Sequence, residues 1–366
     1  MATLLAVGIQ ALVLVVITTT ALLMPSLTRR DLLFGVTVAP GVRATSGRAI
    51  IRRYRLEVIL LALAQTIGLA LLWWMAPPNF WASGWIVLIP LVLVMLPDIP
   101  YLLAYRASRA LASATPPSTP PVQVAALRPR RYADYVPLIW EALPLALIAL
   151  TASYLAMTYA AAPAIIPIHF DAAGAPNGFA RKSIGSYFML VWTQLFLYVL
   201  ITLLSALTVR AKAQATAADE TFRRRMLRYL FGVKTLMIVM MGALAVAVAQ
   251  AGLSGHSDAI NWALWLTLAV VVVVLGGAIW LGVTTGQGGS RLGGANGQNA
   301  TDRMDDRYWK LGGIYANRGD PAIFVERRFG LGWTINVANP RALLVLLLIL
   351  ALPLAFTAFT FLLVGR

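Results

Sequence analysis

The chain has 366 residues, 60% of them apolar and 12% charged, with a formal net charge of +16 and no cysteine. Soluble domains run at about 45–50% apolar and about 25% charged, so this composition excludes an ordinary soluble fold. The missing thiol excludes structural disulfides, thiolate metal sites, iron–sulfur clusters and a cysteine nucleophile.

The apolar residues fall in blocks of about 20, the length that crosses a ~30 Å hydrocarbon core. Polar loops separate the blocks, which predicts an all-α polytopic membrane protein of about eight transmembrane helices. The first run, 3–23, has no basic flank before it and no small-residue cleavage site after it. It therefore predicts a retained helix rather than a signal peptide. Residues 29–55 follow with seven arginines, and within them 31–40 is expected to lie along the membrane surface. The second run is 57–76. A charge-free turn at 77–84, with Trp73, Trp74, Trp81 and Trp85 around it, marks a membrane interface.

The third run, 85–105, holds Pro90, Pro97 and Pro100, with Asp98 between the last two. Each proline removes a backbone donor and tends to break the helix. In a bilayer the freed carbonyls need other partners. Asp98 is then an intramembrane carboxylate, costly at about 2.5–3.5 kcal/mol on insertion scales and by default a functional-site hypothesis. It points to a proton or cation path, or to an ion pair with Arg106, Arg109, Arg130 or Arg131. Glu57 and Glu141 read as interfacial. The stretch 106–135 is polar, with a stiff proline-rich centre at 115–121.

The fourth run is 140–162 and the fifth 183–209. Between them lies a polar island, 165–182, reading Ile-Ile-Pro-Ile-His-Phe-Asp-Ala-Ala-Gly-Ala-Pro-Asn-Gly-Phe-Ala-Arg-Lys. It holds His169, one of two histidines in the chain. In extended backbone, residues two apart share a side, so His169 and Asp171 converge on one ligand, proton or partner group. Gly174, Pro176, Asn177 and Gly178 supply turn chemistry. With His256 and Asp258 in the loop after the sixth run (229–251), a four-ligand metal set is arithmetically available. A turn-capping role and a ligand-contact role for His169 stand beside it. No spacing fixes a metal, so no metal, cofactor or catalytic residue is assigned. His-Glu-x-x-His, Gly-x-Ser-x-Gly and phosphate-loop signatures are missing, and the chain is not expected to be an enzyme.

The seventh run is 260–283. Residues 286–297 read as a glycine-rich linker. Residues 302–340 form a compact polar segment, and 342–364 is the eighth run. Within the polar segment, 322–337 predicts two short strands joined through Gly330 and Gly332, with Ile323 and Val325 on one face and Trp333, Ile335 and Val337 on one face of the second. Because a free hairpin is marginal in water, this one is expected to rest on the membrane or on other loops. Tyr308, Trp309, Arg327, Arg328 and Trp333 make it either a docking surface for a cytoplasmic partner or a plug set in lipid headgroups.

The island matches the Ile-Pro-x-His-Phe signature at Ile166, Pro167, His169 and Phe170, followed by Asp171, Gly174, Pro176, Asn177 and Lys182. Over roughly 144–209 the chain thereby resembles the SdpI-like bacterial membrane proteins, whose shared segment is a domain of unknown function. The resemblance implies toxin immunity coupled to signalling: an extracellular peptide or toxin is sensed and a cytoplasmic repressor is sequestered. It implies Pro167, His169, Phe170, Asp171, Gly174, Asn177 and Lys182 as the ligand- or partner-binding set. Residues 307–336 resemble a small module of unknown function found beside that domain in longer relatives.

The loops after runs one, three, five and seven carry 7, 5, 7 and 8 Lys or Arg, counting Lys234 at the near end of run six. That is 27 of the 30; Arg181, Lys182 and Arg366 are the rest. The positive-inside rule makes these loops cytoplasmic and puts both termini and the island outside, in a bacterial inner membrane. Topology in the lipid bilayer thus explains the charge, and no direct nucleic-acid partner is needed. The organisation expected is a three-helix region with basic loops (1–139), a helix–loop–helix with the island (140–209), two helices (210–285), a linker and hairpin module (286–340) and a last helix (341–366).

Overall fold

The computed structural model describes residues 2–29, 31–39, 41–75, 77, 85–112, 130–170, 174–211, 217–256, 258–292, 305–328 and 332–364. Among the described residues eight helical stretches are long and apolar enough to cross a membrane. They are α1 (Ala2–Leu27), α2 (Ser46–Met75), α3 (Trp85–Met95) continued by α4 (Asp98–Ala112), α5 (Ala142–Tyr159), α7 (Met189–Arg210), α8 (Ala217–Ser254), α9 (Asp258–Thr285) and α10 (Pro340–Val364), with a single turn α6 (Ile184–Tyr187) before α7. Their outer faces expose large apolar side chains such as Leu63, Val92, Leu150 and Leu347. Lipid in place of water makes that exposure favourable. The chain divides into two compact units, Met1–Arg128 with Ala211–Phe222 and Ile279–Leu344, and Pro129–Arg210 with Arg223–Ala278 and Val345–Arg366.

In the first unit the third run is broken where proline requires it. Pro97 has no N–H, so the carbonyl of Leu93 loses its helical donor. The buried Gln65 of α2 turns its Nε2 to that carbonyl at 3.4 Å. The helix is interrupted at Leu96 and Pro97, and α4 restarts at Asp98.

The arginine-rich loop after α1 also has a backbone task. A helix leaves its last four carbonyls without donors, and they carry partial negative charge. Arg43 gathers those of α1 and its extension, donating to the carbonyls of Pro25, Arg29 and Leu32. Arg291 does the same after α9, donating to the Val283 carbonyl at 2.6 Å and to Ser26 at 2.8 Å. In the second unit Arg223, fully buried, donates to the carbonyl of Thr208 near the end of α7.

The stretch 31–39 is a packed turn rather than an open strip. It folds into β1 (Leu32–Leu33) and β2 (Val36–Thr37), joined by Phe34 and Gly35. Both turn residues have positive φ, 46° and 80°, the requirement of a two-residue type I′ turn. Leu32, Leu33, Phe34 and Val36 are buried, and the Phe34 ring meets Tyr54 of α2 edge-on at 4.8 Å. Burial of four large apolar side chains outweighs what a solvent-facing amphipathic strip would gain.

The polar segment before α10 holds two hairpins, β5 (Trp309–Lys310) with β6 (Ile314–Tyr315) and β7 (Phe324–Glu326) with β8 (Trp333–Ile335). The second matches the strands expected from the sequence. A bridge from Tyr315 to Asn336 joins them, around a core of Trp309, Tyr315, Ala322 and Val325. Buried Asn336 donates to the carbonyls of Asn317 and Asp320, which staples the module's turns together. Asn339 then caps α10 by accepting from the Arg341 N–H, with Pro340 at the first helical position.

The module rests on the first loop, tip to tip. Leu311 and Gly312 repeat the positive φ pair, and a Cβ on Gly35 would fall 2.3 Å from the Gly312 carbonyl oxygen. Tyr101 of α4 donates to the Leu311 carbonyl at 2.9 Å. The glycine-rich stretch is also less of a linker than its composition suggests. Residues 286–292 form a tight turn with Gln287 buried, and a Cβ on Gly289 would sit 2.5 Å from the Ala218 carbonyl oxygen. Residues 293–300 lie outside the described residues.

Candidate ligand site

The second unit packs α5, α7 and α8 around Ile148, Leu155, Val191, Ile238 and Ala245. One polar contact crosses this core. Gln194 of α7 donates to the Ile238 carbonyl of α8 at 2.9 Å and reaches Thr151 of α5 at 3.3 Å. Gly242 makes room, since a Cβ there would lie 2.8 Å from the Thr151 hydroxyl. Such a side-chain bridge fixes helix register in a medium where apolar packing alone does not.

Above this core the island folds into an antiparallel hairpin, β3 (Ile165–Phe170) and β4 (Pro176–Arg181). The register slips between Pro167 and His169, so Ile168 is bulged out of the ladder. The bulge breaks the period-2 alternation assumed for this stretch. As a result all of Ile166 to Phe170, rather than every second residue, lines a cavity of about 210 Å³ closed below by α5, α7 and α8. Leu155, Leu190, Ala249 and Gly252 form its floor.

The predicted binding residues divide by role. His169 is exposed, and its Nδ1 bonds the Asn177 amide oxygen across the hairpin. An amide oxygen accepts, so Nδ1 carries the proton and Nε2 is left without a partner among the described residues. Gly178 lies opposite His169 in the register, where a Cβ would approach the His169 Cβ to 2.8 Å. Gly174 holds φ of 80°, and a Cβ there would meet Asn261 of α9 at 3.1 Å. Phe170 packs on Ala247, Ala251 and Ile260. Pro167 lines the cavity together with Gly252, where an added Cβ would lie 3.5 Å from the proline ring. Lys182 caps a helix: its Nζ donates to the Ala162 carbonyl at 2.7 Å and to that of Tyr159 at 3.3 Å, ending α5. Asp171 lies outside the described residues. His256 bonds the Ser254 carbonyl within its own turn at 2.8 Å.

Residues 146–193 match the domain of unknown function DUF1648. The DUF1648 segment runs from α5 through the β3–β4 hairpin into the first turn of α7, which are the elements that enclose the cavity from above and from two sides. Residues 318–343 match the family of unknown function DUF5808, covering the second hairpin of the module and the start of α10. No curated protein and no solved structure matches the chain. With eight apolar helices, the DUF1648 segment sits in a multi-pass membrane protein.

Reading the sequence missed a second polar centre in this unit. Lys234 of α8, 1% exposed, forms an ion pair with Glu141 at 2.6 Å. The Nζ also donates to Thr202 of α7 at 3.0 Å and sits 4.7 Å from the Tyr198 ring centre. Glu141 accepts a further hydrogen bond from Tyr132 at 2.8 Å. Burial, reinforced by that bond, pushes the Tyr132 hydroxyl above its ordinary pKa. Glu141 is thus paired within the unit. The signal was present: a lysine inside an apolar run needs a counter-charge.

The other marked residues lie in the first unit. Asp98 is exposed at the start of α4 and makes no ion pair with Arg106 or Arg109 among the described residues. In the module, Trp309 and Arg328 are buried, whereas Arg327 is exposed and Tyr308 and Trp333 are half-buried. Arg328 donates to the Gly35 carbonyl at 3.1 Å and to Asp306, and lies 4.9 Å over the Trp309 ring. Burial pushes its guanidinium below the ordinary value, and Asp306 pulls it back up. Arg328 and Asp306 join the module to the first loop, whereas Arg327 stays exposed.

Proposed function

We propose that the chain is a bacterial inner-membrane protein that meets an extracellular peptide or toxin at the β3–β4 hairpin and neutralises or senses it. In this reading the basic loops and the 305–339 module are cytoplasmic, and the module's exposed face takes a regulator. The chain then acts by binding, not as an enzyme. The supporting observation is the hairpin itself. A DUF1648 match coincides with a glycine-dependent turn that presents His169, whose Nε2 has no partner among the described residues, over an apolar cavity. A ligand that prefers one packing of α5 and α7 would bias the rest of the molecule.

Cells expressing the chain are expected to lose at least ten-fold protection against the relevant member of a secreted-peptide panel when His169→Ala is introduced. Unchanged protection at equal expression removes the hairpin from the mechanism. The orientation has a separate test. Because the sequence holds no cysteine, a single introduced thiol reports its own compartment. Ala175→Cys is expected to react with an impermeant maleimide added to whole cells, and Gly319→Cys only after lysis. Labelling of both from the same side sinks the reading.

A second reading, a proton- or ion-coupled transporter, rests on Asp98 beside the proline break. Broken helices are where transporter sites form. It predicts proton- or sodium-driven flux into proteoliposomes that Asp98→Asn abolishes, and flux equal in both forms disposes of it.

A further inference from the structure

We infer that the cavity beneath β3 is an anchor pocket for one ring-sized apolar side chain of a peptide; this rests on the peptide-recognition reading above. Size comes first. Drug-sized ligands occupy pockets of about 300–1,000 Å³, whereas a dry apolar cavity of about 150 Å³ holds a single benzene ring. At about 210 Å³ the cavity takes one aromatic or branched aliphatic group and no more.

The volume comes from small residues on one stretch of α8. Ala245, Ala249 and Gly252 line it, spaced at three and four residues, so they share a helix face. A Cβ on Gly252 would make only ordinary contact with Pro167, at 3.5 Å, so the space is not demanded by a close backbone approach.

The chemistry of the lining selects the guest. Among the described residues no Asp, Glu, Lys or Arg lines the cavity, and its one titratable ring, His169, stands at the rim. Its Ser186 hydroxyl already donates to the Arg181 carbonyl at 2.7 Å, and Tyr187 is bonded to Thr158 at 3.0 Å. A polar or charged guest would shed water without replacement, which is costly.

Two features favour a peptide over a lipid tail. The Nε2 of His169 at the rim has no partner among the described residues. Among the described residues the sheet has two strands, and β3 has no second strand on its outer edge. A peptide can use both through its own amides, as in strand addition to an exposed edge. An acyl chain can use neither.

The test titrates N-acetyl-4-fluorophenylalanine amide onto the full chain in lipid nanodiscs, read by ¹⁹F line broadening. Saturable binding is expected in the wild type, at least ten-fold weaker in Ala249→Leu and in Gly252→Leu, which fill the space from different turns of α8. Trp265→Ala, on the exposed face of α9, is expected to bind like wild type. Equal binding in wild type and both filled variants, or none in any, overturns the pocket. Displacement by lysophosphatidylcholine but not by unlabelled N-acetyl-phenylalanine amide overturns the peptide assignment in favour of a lipid tail. Full protection of cells by Ala249→Leu overturns the anchor role, while the hairpin's part in protection is judged separately by His169→Ala.

Discussion

Glu141→Gln is expected to lower stability by about 3–5 kcal/mol, because it leaves the Lys234 ammonium buried without its counter-charge. Lys234 is 1% exposed, so water cannot replace the carboxylate. Lys234→Met is expected to cost less. The Glu141 side chain keeps 12% exposure and retains its hydrogen bond from Tyr132. The double variant Glu141→Gln/Lys234→Met is expected to recover to within about 1.5 kcal/mol of wild type, since a buried pair replaced as a unit is often close to neutral. Unfolding by increasing SDS fraction in mixed micelles, followed by tryptophan fluorescence, gives all three values and the coupling energy. Additive losses in the double variant would mean that the two side chains do not act as a pair. The same experiment locates the pair's importance: it ties α5 and α7 to α8, the three helices that carry the cavity floor.

The second large effect concerns the joint between the module and the first loop. Asp306→Ala is expected to cost about 3 kcal/mol and Arg328→Met about 2 kcal/mol. The order follows from exposure. The Asp306 side chain is 42% exposed and rehydrates once Arg328 is gone, whereas Arg328, at 2%, is stranded when Asp306 is removed. Asp306 also accepts from the backbone N–H and the hydroxyl of Thr37, at 3.2 and 2.9 Å. Amide exchange should therefore separate the variants. Thr37 loses protection in Asp306→Ala and keeps most of it in Arg328→Met. Arg328→Lys is not expected to rescue, because an ammonium cannot reach Gly35 and Asp306 together while stacking on Trp309. Equal exchange at Thr37 in the two variants would show that Asp306 does not hold β2.

Elements set by the chain's own neighbours were legible. Pro97 announces the break before Asp98, and Gly330 and Gly332 announce the β7–β8 hairpin, although Gly330 lies outside the described residues. The His169 loop was recognisable from its residues, yet its alternation was misjudged, since the Ile168 bulge follows from pairing with β4 and not from β3 alone. The burial of 31–38 was invisible for a similar reason. Phe34-Gly35 suits a tight turn, but only the facing Leu311-Gly312 tip and Tyr54 give it somewhere to pack.

By itself the sequence determined the number of apolar spans, the sites where they break and the lopsided placement of the arginines. Each is a cost borne by a residue against its solvent, lipid or water, and such one-body costs are written in composition and spacing. The tertiary structure decided which charges meet, which carbonyls the arginines cap and which residues surround the cavity. Glu141 and Lys234 stand 93 positions apart, and Asp306 and Thr37 stand 269 apart. Contacts of that kind depend on where two distant segments are carried by the fold, and no local pattern encodes that distance.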